Sequence, residues 1–176
     1  MSDFITDKGS AAFGTRLRRL SERLDRDVRE LYREQGVEFE PSWYPVVVSL
    51  DEIGPMSVGE LASDMHISHA AVSQIRGKLL KSGLVIGRAD MADHRRQMLR
   101  LTRKGQALVD RLRPLWKAIA RVTEELNRLH SPHLLSELTA LEAALDDRSL
   151  FDRVSDDVEN RKTIKTDIKG KSNAVR

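Results

Sequence analysis

Apolar residues recur at helical spacing near the start of the chain and again in its last third. Steps of three or four residues connect the first stripe, which lies in an otherwise highly charged stretch: Phe13, Leu17, Leu20, Leu24, Val28 and Leu31. A second stripe has the same spacing: Leu108, Leu112, Leu115, Ile119, Val122, Leu126 and Leu129. The two patterns predict long helices, the first ending at Gly36 and the second spanning 102–129 with a bend at Pro114.

The segment between the two stripes predicts three shorter helices. Residues 41–55 run apolar between prolines and favour a short buried helix. Ser57 followed by Glu60 is a capping-box signature, so a second helix starts there and ends near Met65. Ser68 starts a third helix that ends before Gly83. Two short helices joined by a tight turn are typical of a helix-turn-helix.

Two short strands follow this motif. The stretches "LVIGR" and "QMLRLT" have strand character, and residues 89–96 form the loop between them. Leu99 and Leu101 alternate with Met98, Arg100 and Thr102, so one face of the ribbon is apolar and the other is polar or basic. The pattern predicts a basic hairpin directly after the helix-turn-helix, which is a wing.

The ends of the chain carry weaker signals. A further helix is predicted from Ser131 as N-cap, with Pro132 in its first turn, to about Asp146. Residues 1–10 are expected to be a flexible N-terminus and 147–176 a basic tail, mobile and without periodicity from Asn160 onward. With 176 residues, 40% of them hydrophobic, the chain fits one domain plus tails.

Composition excludes several classes of function. The chain has no cysteine, which rules out disulfides, thiolate metal sites and cysteine-based catalysis or redox sensing. No apolar run has the length of a membrane span, and the first residues do not resemble a secretion signal, so a cytoplasmic protein is expected. Glycine-rich phosphate loops, serine elbows and paired carboxylates in an apolar frame are missing, so an enzyme is not expected.

Positive charge is concentrated in two segments. The net charge is only +3, but residues 57–104 hold nine Lys or Arg against four acids, and residues 160–176 hold six against one. This segregation favours a polyanionic partner. The alternative is that both segments are merely solvated charge runs.

The order of the predicted elements resembles the MarR family of winged helix-turn-helix transcription regulators over about 11–146. Asp93 and Arg95 match the family's DxR element in the wing, and Leu101, Thr102 and Gly105 follow at the family's spacing. The stretches "GELA", "AVSQI" and "LLKSGLV", together with Arg88, are also similar. The resemblance implies a mainly α fold with a small β-wing: a winged helix-turn-helix at 42–104, flanked by dimerisation helices at 11–35 and 105–146.

The third short helix has the pattern of a recognition helix. Val72, Ile75 and Leu79 form the face that docks on its own domain. The opposite face carries small and hydrogen-bonding groups: Ala70, Ser73, Gln74, Gly77 and Lys81.

Each residue type on that face suits DNA. Gln74 suits bidentate bonding to adenine, Ala70 suits a thymine methyl, and Gly77 permits close backbone approach. Ser68 and His69 stand where a helix start meets a phosphate. In the alternative interpretation, Ser68 is only the N-cap and His69 is only solvated.

In the resembling family, the arginine at the position of Arg95 enters the minor groove, and Asp93 shapes the loop. A narrow minor groove concentrates negative potential and favours an inserted guanidinium. Arg88 and Arg96 are then expected to contact the DNA backbone. The alternative is a surface ion pair between Asp93 and Arg95, with no further role.

The sequence therefore predicts a regulator of transcription, expected to be a repressor, that binds a palindromic operator as a homodimer. The family also binds small aromatic or phenolic effectors, and four residues are candidates to line such a pocket, with plain core as the alternative: Tyr32, Trp43, Tyr44 and Trp116. No cofactor is expected, and the histidine pairs His66–His69 and His130–His133 lack the further ligands of a metal site. The rival function is a winged-helix interaction module that binds an acidic protein.

Overall fold

The computed structural model describes residues 3–89 and 97–173, which are mainly helical with one small antiparallel sheet. The helices are α1 (Phe4–Asp7), α2 (Phe13–Glu34), α3 (Tyr44–Glu52), α4 (Val58–Asp64), α5 (His69–Lys81), α6 (Arg103–His130), α7 (Leu134–Asp147) and α8 (Leu150–Asn173). The strands are β1 (Met56–Ser57), β2 (Val85–Ala89) and β3 (Gln97–Leu101). Short 3₁₀ turns span Gly9–Ala12 and Pro41–Trp43. This architecture confirms the predicted fold class.

The chain divides into two compact units, Met1–Pro114 and Leu115–Arg176. The first unit holds the predicted helix-turn-helix and its hairpin around one apolar core. Four helices and the hairpin contribute the side chains with no solvent exposure: Val46, Leu61, Val72, Leu79, Leu99, Val109 and Leu112. The pattern of α5 is confirmed, because Val72 and Leu79 are buried on one face and Ile75 is half-buried.

The sheet has the order β1-β3-β2. In the hairpin, Val85 pairs with Leu101 and Gly87 pairs with Leu99. The predicted alternation is visible in β3, where Leu99 is buried between the half-buried Met98 and the exposed Arg100. The short strand β1 pairs Met56 with Leu99 and was not predicted, because two residues carry no period of their own. Of the predicted loop, Ala89 belongs to β2, and residues 90–96 lie outside the described residues.

Thr102 joins the end of α5, the end of the hairpin and the start of α6. Its hydroxyl donates to the Gly83 carbonyl at 2.7 Å and accepts from the Gly105 amide at 3.0 Å, which caps α6. The Thr102 amide donates to the Leu84 carbonyl at 3.0 Å. A Cβ on Gly105 would lie closer than 3.0 Å to that carbonyl oxygen, so the first turn of α6 requires glycine here.

Asp51 links α3 to α6 inside the first unit. Its carboxylate accepts from the side-chain amide of Gln106 at 2.6 Å and from the Arg113 guanidinium at 2.9 Å. The Asp51 side chain is only 10% exposed. These donors, Gln106 first, hold the pKa of Asp51 below its usual value. The charged form of Asp51 therefore contributes stability above its unfolded pKa near 4, and that contribution is lost as the pH falls through the lower folded pKa.

Both ends of the chain differ from the sequence prediction. Within residues 1–10, Asp3 accepts from the Thr6 amide at 2.8 Å and so caps α1, where no element was predicted. In the predicted tail at 147–176, α8 continues through Asn160 to Asn173. Ser149 caps α8 by accepting from the Asp152 amide. The prediction of an aperiodic tail was wrong, because a helix needs no apolar stripe where no proline or early glycine interrupts it.

The start of α7 also differs. Ser131 is not its N-cap, since its hydroxyl lies 3.4 Å from the Asn127 side chain. His133 occupies the cap position without a capping side-chain bond, and α7 begins at Leu134. A bond of 3.0 Å from the Leu134 amide to the Ser131 carbonyl closes the turn between the helices. The serine and proline signal marked the right region but placed the helix start two residues early.

Replacing Gly105 with alanine is expected to destabilise the first unit by about 3 kcal/mol, because the added methyl meets the Leu84 backbone rather than a side chain that can move away. Urea denaturation followed by circular dichroism measures the change. The matched control is Gly77→Ala in α5, where a Cβ meets nothing within 4 Å and stability should rise by up to ~1 kcal/mol. Equal midpoints for the two variants would contradict the close approach at Gly105.

Candidate nucleic-acid interface

The two helices of the helix-turn-helix start at side-chain caps that the sequence predicted. Ser57 accepts from the Glu60 amide at 3.2 Å, and the Glu60 carboxylate accepts from the Ser57 amide at 2.8 Å, which completes the capping box of α4. Ser68 accepts from the Ala71 amide at 3.2 Å and begins α5. These local bonds fix where α5 starts and therefore which side chains stand at its exposed end.

The turn between α4 and α5 has an unusual backbone residue. The Ile67 amide bonds the Ala62 carbonyl, and the His66 amide bonds the Ser63 carbonyl, which is the bond pattern of a Schellman motif. Glycine normally occupies the left-handed position of that motif, as Gly83 does at the end of α5 with φ +69°. Here His66 occupies it with φ 51°. Sequence reasoning missed this feature, because histidine is not a turn signal although it tolerates this conformation better than most residues.

The outer face of α5 is exposed where the sequence predicted contact with bases. Val72 and Leu79 have no solvent exposure, which turns the opposite side of the helix outward. The five predicted residues of that side are all exposed: Ala70, Ser73, Gln74, Gly77 and Lys81. Most of this surface is small or uncharged, so the backbone of α5 is accessible to a large partner.

The N-terminal end of α5 is also open to solvent. Ser68 and His69 are both exposed, although the Ser68 hydroxyl is already used as the helix cap. The imidazole of His69 lies beside Gly59 of α4, with Cε1 3.4 Å from the place of a Cβ on that glycine. Gly59 therefore lets the His69 ring pack against the start of α4 while the ring stays accessible.

The structure describes only part of the predicted wing site. Arg88 is exposed on β2, opposite Met98 of β3. Asp93, Arg95 and Arg96 lie outside the described residues. Their predicted roles therefore stay predictions.

A cleft that the sequence did not predict lies beside α5. It has a volume of about 580 Å³, and its walls come from the start of α4, the side of α5 and the start of β3. Arg76 of α5 lines it together with Ser63 and Gln97. The Arg76 Nε–H is buried and has no acceptor among the residues that the structure describes. No sequence signal marked Arg76, because its neighbours come from three separate elements.

The four candidate ligand residues do not form a single described cluster. Tyr32 and Trp43 are buried in the first unit, where Phe39 makes edge-to-face contacts with both at centroid distances of 5.1 and 5.5 Å. Tyr44 is 41% exposed, and Trp116 belongs to the second unit. The Trp43 Nε1–H is buried without an acceptor among the described residues. Sequence reasoning missed Phe39, which joins the two buried rings.

Comparison with known proteins identifies the same class of fold. The MarR family model matches residues 39–96. The transcriptional repressor CouR, solved with a 23-mer DNA duplex, is 24% identical and has a TM-score of 0.64, covering 81% of this chain and 98% of its own. BpsR of Bordetella bronchiseptica, whose DNA binding is regulated by 6-hydroxynicotinic acid, is 23% identical with a TM-score of 0.59, covering 72% and 91%.

A third structure extends the likeness further along the chain. NMB1585, a MarR family regulator from Neisseria meningitidis, is 18% identical with a TM-score of 0.56, covering 82% of this chain and 95% of its own. No curated protein matches the sequence. Within residues 3–89 and 97–173, no helix combines the length and the apolar character needed to cross a bilayer.

Proposed function

We propose that this chain is a DNA-binding transcriptional regulator of the MarR family, whose model matches residues 39–96, and that it is a repressor that binds a palindromic operator as a homodimer. The observation that carries the proposal is the outer face of α5, whose predicted contact residues are all exposed and which carries Gln74 between small residues. A recognition helix needs such a face to lie against base edges in the major groove. The hairpin that follows α5 delivers Arg95 to the adjacent minor groove, and Arg88 and Arg96 to the phosphates.

Gln74 and Gly77 have different roles in the proposed contact with DNA. The Gln74 amide donates to and accepts from one adenine, which specifies sequence. Gly77 lies one turn further along the same face and leaves room for the DNA to approach the helix backbone. Ala70 contacts a thymine methyl, Ser73 bonds to bases or phosphate, and Ser68 and His69 meet a phosphate at the start of the helix. Asp93 shapes the tip of the hairpin and does not touch DNA.

The first test compares Gln74→Ala with Arg95→Ala on duplexes selected from genomic fragments. Gln74→Ala should reduce discrimination against mismatched sites by about tenfold, the worth of one bidentate contact, while Arg95→Ala should weaken binding to all duplexes and keep the preference. Fluorescence anisotropy at several salt concentrations gives both quantities. A wild-type protein that binds all duplexes equally and only weakly would instead favour the interaction module for an acidic protein.

Exposed apolar stripes support the homodimer. On α2, the predicted stripe is present but open: Phe13, Leu17, Leu20 and Leu24 are each between 38% and 49% exposed. Among the described side chains after Pro114, only Trp116 is buried, while Val122, Leu126 and Leu129 of α6 lie exposed. An isolated chain would leave this apolar surface in water. A second copy covers it and places two α5 helices one DNA turn apart, about 34 Å.

Leu20→Asp should therefore split the dimer, because it buries a carboxylate in the apolar contact. Sedimentation equilibrium at micromolar concentration should show a shift toward the single chain, with a fall in operator affinity. Thr15→Asp is the matched control, since Thr15 is exposed on the opposite side of α2 and gains the same charge. If the two variants sediment alike, α2 does not form the dimer contact.

The buried aromatic cluster supports an effector site for small aromatic or phenolic acids. The buried indole N–H of Trp43 has no acceptor among the described residues, and a buried unpaired donor costs ~1–3 kcal/mol. A ligand carboxylate or phenolate beside Tyr32, Phe39 and Trp43 would accept that bond and stack on the rings. Tyr44, which is exposed, and Trp116, which belongs to the second unit, are not part of this proposed site. Binding in this cluster would relieve repression by favouring a state with weaker DNA affinity.

Release of labelled operator duplex by benzoate, hydroxybenzoates and 6-hydroxynicotinic acid tests this site. Trp43→Phe keeps a ring and removes the indole donor, so about tenfold more acid should be needed for half release, with unchanged DNA affinity in its absence. Tyr44→Phe, on an exposed ring, is the matched control and should leave the response unchanged. An equal response of the wild type and Trp43→Phe would exclude the indole as the anchor.

A further inference from the structure

We propose that Arg76 binds a DNA backbone phosphate in the cleft between α4, α5 and β3. The inference rests on the proposed function, since it assumes that α5 enters the major groove and the hairpin the adjacent minor groove. It adds a residue that lies outside the predicted recognition face and outside the predicted wing.

The Arg76 guanidinium lies beside Gly87 and the start of β3. Nη2 of Arg76 lies 3.8 Å from the place of a Cβ on Gly87, and the Gln97 side-chain oxygen lies 3.3 Å from the same place. A side chain at position 87 would therefore occupy the space beside the guanidinium. Gly59, on the α4 side, lines the cleft together with Arg76 and Gln97.

Arg76 lies on one flank of α5. His69 precedes it by seven residues, which is about two helical turns, so both side chains lie on the same flank of the helix. The sugar-phosphate strand that separates a major groove from its neighbouring minor groove has to cross between a helix in the first and a hairpin in the second. Arg76 and Gln97 line the cleft between α5 and the hairpin, where such a strand would pass.

The chemistry of the cleft favours an anion. The Arg76 Nε–H is buried without an acceptor among the described residues, and a phosphate offers several acceptors to the fork of a guanidinium. Glu60 also lines the cleft, but one of its carboxylate oxygens accepts from both the amide and the hydroxyl of Ser57, at 2.8 and 2.7 Å. Since that carboxylate disfavours a phosphate, binding depends on the cation of Arg76.

The experiment measures the salt dependence of operator binding for Arg76→Gln and Lys78→Gln. Lys78 is exposed on the same helix but about 200° around it, so its loss removes the same charge from another flank. Arg76→Gln should weaken binding to all duplexes and lower the slope of log affinity against log salt by about 1.8, because the proposed homodimer loses two phosphate contacts worth about 0.9 each. Lys78→Gln should leave the slope unchanged.

Phosphate replacement gives a second measurement on the wild-type protein. Methylphosphonate, which is uncharged, is placed at one backbone position after another between the two grooves. One position should weaken wild-type binding and have no effect on Arg76→Gln, while Arg76→Lys should keep the slope with reduced affinity. Thermal unfolding of each variant distinguishes loss of contact from loss of fold.

Two results would overturn the inference. If Arg76→Gln keeps the wild-type slope, or weakens binding with every methylphosphonate position still effective, then Arg76 only braces the hairpin against α5. Wild-type protein that binds no duplex would instead refute the proposed function itself, before Arg76 is considered.

Discussion

One hydrogen-bonded junction at Thr102 determines how the DNA-binding elements are placed. The Thr102 hydroxyl bonds the carbonyl at the end of α5 and caps the start of α6, and the adjacent amide bonds the chain just before β2. Lys104 adds a bond of 2.8 Å to the Ser82 carbonyl, which places a cation at the C-terminal end of α5. These bonds hold the end of α5, the hairpin and the start of α6 together at one corner of the first unit.

The features that could be predicted from the sequence are those that depend on neighbouring residues. Ser57, Ser68 and Gly83 mark helix ends because caps bond backbone groups within a few positions, and the structure has each end where its signal stands. Helix stripes were equally readable, since burial on one face imposes a period. These two kinds of local information were enough to place α4, α5 and the hairpin, and so the outer face of Gln74.

The features that could not be predicted depend on distant residues or on unusual local ones. The strand β1 exists only because Leu99 pairs with Met56 across 43 positions of sequence. Gly59, Gly87 and Gln97 lie around Arg76 and its cleft. They are far apart in the sequence and come together only when the sheet forms. His66 adopts a left-handed backbone conformation that glycine normally occupies. The helix α8 was missed for a different reason, because a polar segment can be helical without an apolar stripe in its sequence.

The two units differ in how much apolar surface they bury, and this difference bears on the proposed homodimer. The first unit buries a complete apolar core, whereas the described side chains of the second bury only Trp116. Helices with so little buried surface gain little from packing, and packing supplies most of a helix's stability in water. If a second copy covers the stripes of α2 and α6, the free energy of association also stabilises the second unit. Dimerisation, the order of these helices and the spacing of the two recognition helices would then respond to protein concentration together. A ligand that favoured one of these states would then change DNA affinity as well, because the three would share a single equilibrium.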